Sequence, residues 1–119
     1  MNHKFDLEDR LLEYATRIIC LTEKFPKTRS GNHLAGQLLR SGTSPLPNHG
    51  EAQGAESRKD FIHKMGICLK EFNESYRWLR LAAKVPLLDD ASEIGELVQE
   101  TKELMCIFAT SIRTARENG

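Results

Sequence analysis

The chain has 119 residues, with 17 basic side chains balanced by 17 acidic ones and only four Pro and eight Gly. That length suits one domain, residues 1–119, whose core needs no disulfide or metal staple. A net charge of zero gives no overall field for nucleic acid or an anionic membrane, and the Pro and Gly content excludes a low-complexity chain.

The first twenty residues, MNHKFDLEDRLLEYATRIIC, are charged throughout and do not read as a signal peptide. No window approaches 18 uninterrupted apolar residues, so no membrane span is expected. Cys20, Cys68 and Cys106 are an odd number in separate segments, which fits a reducing, cytoplasmic setting.

The first predicted helix covers residues 6 to 24. Leu11, Ala15, Ile18 and Ile19 form its apolar stripe, with Leu7, Leu12 and Leu21 nearby. Asp6, Glu8 and Asp9 suit the positive end of the helix dipole. Pro26 pushes Phe25 out of helical geometry and ends the segment.

The second helix covers residues 32 to 55 and contains RSGTSPLPNHGEA. Pro45 and Pro47 each remove a backbone N–H, and inside a helix each costs about 3 kcal/mol. The sequence therefore predicts a break or sharp kink over residues 43–47. Ser44 would cap the resumed helix, with Pro45 and Pro47 in its first turn, where N–H groups have no partner anyway. Ser41 and Gly42 would admit another helix closely. Asn48 and Glu51 would secure the kink by hydrogen bonds, with Arg40 as their partner.

The third helix begins at Ser57, a cap followed three residues later by Asp60. Phe61, Met65, Cys68, Leu69, Phe72, Tyr76, Leu79 and Ala83 share its apolar face. A break around Pro86 precedes the fourth helix, residues 91 to 116. Its face carries Ile94, Leu97, Val98, Thr101, Leu104, Met105, Phe108 and Ile112. Short links make sequential helices antiparallel, so the expected fold is all-α: an up-down-up-down four-helix bundle.

Charge is balanced overall but not locally. Residues 57–88 carry a net +4 and residues 89–119 a net −4. Lys70, Arg77 and Lys84 recur every seven residues beside Arg80 and Trp78, a basic stripe suited to RNA, DNA or a protein partner. Trp78 equally fits packing against a neighbouring helix or subunit. Glu93, Glu96, Glu100 and Glu103 form an acidic stripe. It either pairs within the chain or meets the basic flank of a second subunit in a ring.

No catalytic group, cofactor site or metal site emerges. Asp60 and His63 have the spacing of one arm of a di-metal bundle, but the fourth helix has no His to match. His3 and His33 make no cluster. The cysteines read as small hydrophobes within helices, and SGNHLAG lacks the spacing of a phosphate-binding loop.

The stretch QLLRSGTSPLPNHGEAQGAESRKDFIHKMGICLKEFNESYRWLRLA, residues 37–82, resembles the small four-helix bundle proteins encoded in intervening sequences of large-subunit ribosomal RNA genes. These are related to the accessory variability proteins of diversity-generating retroelements. The likeness rests on Gln37, Leu38, Arg40, Ser41, Gly42, Ser44, Asn48 and Glu51, then Ser57, Lys59, Asp60 and Phe61, and finally Leu69, Lys70, Glu71, Glu74, Trp78 and Leu79. It implies an up-down bundle without enzyme activity that assembles with itself, as relatives form homopentameric rings. The retroelement relatives bind a reverse transcriptase and nucleic acid through strongly basic surfaces. This chain differs from them in its zero net charge and in its Pro45-Leu46-Pro47 run.

Overall fold

A computed structural model describes residues 6–118. Among them are five helical segments and no strand: α1 (Leu7–Glu23), α2 (Arg29–Thr43), α3 (Pro45–Gln53), α4 (Arg58–Lys84) and α5 (Ser92–Glu117). His3 lies outside the described residues. Because α3 continues α2, the four-helix reading holds, with the second helix bent at Ser44.

Three helices begin on a side-chain cap. The Asp6 carboxylate accepts from the Asp9 N–H, the Thr28 hydroxyl from Gly31, and the Ser57 hydroxyl from Asp60. The Thr28 cap starts the second helix three residues earlier than expected. Gly31 is required there: a Cβ at this position would lie 2.0 Å from the Pro26 carbonyl oxygen.

Cross-helix contacts fix the directions. Arg10 meets Glu100 while Arg17 meets Glu93, so α1 and α5 are antiparallel. Ser41 meets Ser75 and Glu51 meets Lys64, so α4 runs back along α2 and α3.

The core is a stack of helix faces. Met65, Cys68, Phe72, Leu79 and Ala82 of α4 face Ile94, Leu97, Leu104, Phe108 and Ile112 of α5. Leu11, Tyr14, Ile18 and Leu21 close it from α1, and Leu34, Leu38 and Ala52 from the second helix. Aromatic rings run through the middle: Tyr14 edge-on to Phe72 at 5.4 Å, Phe72 tilted against Phe108 at 5.2 Å, and His49 edge-on to Phe108 at 6.0 Å. The α1 stripe is rotated from its predicted position. Tyr14 is buried, whereas Ile19 is 44% exposed. The tyrosine hydroxyl finds a buried partner 2.7 Å away in Thr101, whose own hydroxyl donates to the Leu97 carbonyl. Likewise Ala83 faces outward on α4 and Ala82 faces in.

At the bend, Ser44 keeps right-handed helical dihedrals and its hydroxyl caps no backbone N–H. The expected Ser44 cap is therefore not formed. The Asn48 side-chain amide donates to both the Ser44 carbonyl and the Ser44 hydroxyl at 3.0 Å, supporting the turn that Pro45 and Pro47 cannot bond. Gly42 allows α1 to approach, since a Cβ there would fall 2.8 Å from Ile18.

Candidate functional site: a cationic groove between α4 and α5

The two flanks of α5 differ in chemistry. On the α1 side, the Arg10 guanidinium forks onto Glu100, donating through Nε (2.7 Å) and Nη2 (2.9 Å), and also reaches Glu103 at 2.6 Å. One helical repeat further on, Arg17 donates to Glu93 at 3.1 Å and Glu96 at 2.9 Å. Both guanidinium pKa values are raised, chiefly by the bonds to Glu100 and Glu93. The acidic stripe is thus engaged within the chain. The signal was present in the sequence: Arg10 and Arg17 are seven apart, as are the pairs Glu93/Glu96 and Glu100/Glu103.

The carboxylates of α4 turn toward the second helix. Arg40 donates to Glu71 at 3.0 Å and also binds Glu74, and these contacts raise its pKa, the Glu74 bond most. Glu51 pairs with Lys64 at 2.7 Å. The expected tie from Arg40 to Asn48 and Glu51 is therefore corrected. Arg40 instead faces α4, and Glu51 takes Lys64 as its partner.

What remains is the seam between the outer faces of α4 and α5. One end is lined by Lys59, Ile62, His63, Gly66, Lys70 and Arg116. The middle is a groove of about 440 Å³ lined by Leu69, Tyr76, Lys102, Met105, Cys106 and Ala109. The other end is lined by Arg77, Arg80, Leu81, Lys84, Gly95 and Val98. Among the described residues no carboxylate lines any of the three stretches. None of Lys59, Lys70, Arg77, Arg80, Lys84, Lys102 or Arg116 forms an ion pair with another described residue.

Lys70, Arg77, Arg80 and Lys84 thus share one ridge, as the stripe predicts. Trp78 meets only the edge of this ridge, lining a neighbouring depression with Glu74, Arg77 and Leu81. It is half-buried on the α2 side, edge-on to His33 at 5.8 Å. The groove's aromatic is Tyr76, with the guanidinium carbons of Arg80 and Arg77 at 5.2 and 5.9 Å from its ring centroid. The sequence placed Tyr76 on the core face, because its 3.6-residue period lies close to both the core and the groove. The groove's two halves also lie on different helices, with Tyr76 and Lys102 of the middle stretch 26 residues apart in sequence, so no local charge pattern joins them.

No reacting constellation accompanies this surface. Cys68 is buried, and burial pushes its thiol up to about 12, far from a nucleophile's range. Among the described residues no group of three or more His, Cys, Asp or Glu side chains is placed to hold a metal ion, and Asp60 and His63 are exposed in the first turns of α4. No helix among them is long and apolar enough to cross a membrane.

Comparison with characterised, curated proteins finds no match. A crystal structure of a protein of unknown function from the S23 ribosomal protein family of Bacteroides thetaiotaomicron superposes with a TM-score of 0.82. It shares 33% identity, over 90% of this chain and 98% of that one. Residues 4–109 match the family described as 23S rRNA-intervening sequence protein. With that span covering the bent second helix, the capped α4 and most of α5, the chain belongs to the 23S rRNA-intervening sequence protein family.

Proposed function

We propose that this chain is a non-catalytic adaptor that binds a nucleic-acid backbone along the α4–α5 groove. The supporting observation is the sorting of charge within a neutral molecule. Intrachain ion pairs engage Glu71 and Glu74 of α4 and Glu93, Glu96, Glu100 and Glu103 of α5 on the far flanks, and among the described residues no carboxylate lines the groove edged by Lys59, Lys70, Arg80, Lys84, Lys102 and Arg116. A phosphate chain placed there displaces its counterions, so affinity falls steeply with salt. Fluorescence anisotropy with RNA at low salt is expected to show binding that weakens by at least tenfold between about 50 and 200 mM salt. The combined substitution K70E/R77E/K84E is expected to abolish it. Absence of binding at low salt contradicts the proposal.

A second reading is a self-associating scaffold, ring-forming and pentamer-like. It is favoured by α1, where Leu12 and Ile19, seven residues apart, are 53% and 44% exposed on one outer face. Light scattering is expected to give a mass several times 13.5 kDa, reduced to the monomer by L12K/I19K. A monomer at all concentrations removes this reading and leaves the first intact.

A further inference from the structure

We propose that the apolar middle of the groove is a base-stacking site, which makes the preferred ligand single-stranded rather than duplex nucleic acid. This inference rests on the backbone-binding proposal and specifies it.

A site for phosphates alone needs cations and water along its whole length. Here the cations stand at the two ends and on the rim, and the middle is lined by Leu69, Tyr76, Met105, Cys106 and Ala109, with Lys102 as the one charged side chain. Its volume of about 440 Å³ falls in the ordinary range of small-ligand clefts, roughly 300–1,000 Å³. An apolar cleft between two cationic stretches matches a polymer with a charged backbone and flat, weakly hydrated faces. Unpaired nucleotides have that character. Duplex bases do not, because their faces are already stacked and a protein meets only phosphates, sugars and groove edges.

Tyr76 supplies the platform. It is half-buried, and Arg80 and Arg77 sit against its ring at 5.2 and 5.9 Å. A base that stacks on Tyr76 would take the place of a guanidinium over the ring, and that guanidinium then swings to a flanking phosphate. Met105 and Leu69 offer polarizable and aliphatic surface beside it, with no directed hydrogen-bond code, so stacking should tolerate any base. The alternating register also fits. Lys70, Arg77 and Lys84 recur at about 10.5 Å along α4, with the tyrosine between the first two.

The cysteines provide the test. Cys106 is exposed and lines the apolar middle, Cys20 is exposed on α1, and Cys68 is buried. Iodoacetamide alkylation of the full chain can be followed at each cysteine by peptide mass spectrometry. The probes are a short oligouridylate, an abasic oligomer of equal phosphate number, and an RNA duplex. Oligouridylate is expected to slow alkylation of Cys106 at least tenfold and to leave Cys20 unchanged, with much less protection from the other two probes. Tyr76→Ala should weaken oligouridylate binding about tenfold, within the range of one stacked base, and leave the abasic oligomer's affinity unchanged. Lys70→Glu should weaken both.

Binding of oligouridylate with Cys106 alkylated at its free rate would overturn the stacking site and leave the backbone reading standing. Equal protection by all three probes has the same meaning. No binding by any probe at low salt would overturn both. Protection of Cys106 that rises with protein concentration in the absence of nucleic acid would assign this face to a second copy of the chain and overturn the stacking site.

Discussion

The seam between α1 and α5 and the seam between α4 and α5 share a helix but are opposite in construction. The first is closed by two arginine forks across four glutamates and by the buried Tyr14–Thr101 pair. The second is open, lined by cations without counter-charges and by half-exposed apolar side chains. Glycine repeats the contrast. Gly31 and Gly42, on the α1 side, have no room for a methyl group, whereas a Cβ on Gly66 or Gly95, beside the groove, would meet nothing within 4 Å. The contrast belongs to the surface of these two seams: Gly36 of α2 and Gly50 of α3 also face open space, and beneath the groove the buried faces of α4 and α5 pack closely.

The largest expected effect tests the tight contact at Gly31. Gly31→Ala drives its Cβ against the Pro26 carbonyl, which is backbone and cannot swing away. Urea denaturation is expected to show a loss of about 3 kcal/mol, the upper part of the overpacking range.

Alkaline pH should probe the buried core next. Burial raises Tyr14 from 10.0 and Cys68 from 9.0, each to about 12. The folded state holds these protons after the unfolded state has released them, so stability is complete below pH 9 and falls between about 9 and 12. Thermal melts across that range should show the decline. Tyr14→Phe should remove its tyrosine portion while costing about 1 kcal/mol at neutral pH through the lost bond to Thr101.

The third prediction reverses the sign. Gly66→Ala and Gly95→Ala sit in helix interiors with open space and should each stabilise by roughly 0.5–1 kcal/mol. Destabilisation at either site would mean that the groove is packed, not open.

The smallest effect compares charges. Arg10→Ala loses a fork onto two glutamates and should cost about 1 kcal/mol or less, diminishing with salt. Lys70→Ala touches no carboxylate and should change stability by less than about 0.5 kcal/mol. Equal losses at the two positions would erase the distinction between the seams.

Much of this was legible in the sequence. The faces of α4 and α5 followed from 3.6-residue periodicity, because nearly every turn carries a large aliphatic or aromatic side chain. Ser57 was readable as a cap because its hydroxyl acts three residues away. Tyr14 was not readable, because its burial depends on a hydroxyl 87 positions along the chain. The Thr28 cap was obscured by the polar run from Lys27 to Ser30, which carries no apolar stripe. At Ser44 the chemistry of two prolines suggested a helix end. Tertiary packing held the residue helical, with Asn48 replacing part of the missing bonding. The groove needed two helices to be brought together, and no local pattern contains that information.

Neutrality combined with sorted charge has a consequence for how the molecule finds a partner. A net charge attracts across the thickness of its ionic atmosphere, whereas separated charges that sum to zero produce a field that fades faster with distance. At physiological ionic strength, where screening acts over about 8 Å, an anion would sense the groove only on near contact. Long-range capture is then weak, and so is long-range repulsion from other polyanions. A molecule of this kind samples surfaces by collision and leaves most of them quickly. It stays where contact is close enough for the groove itself to be filled.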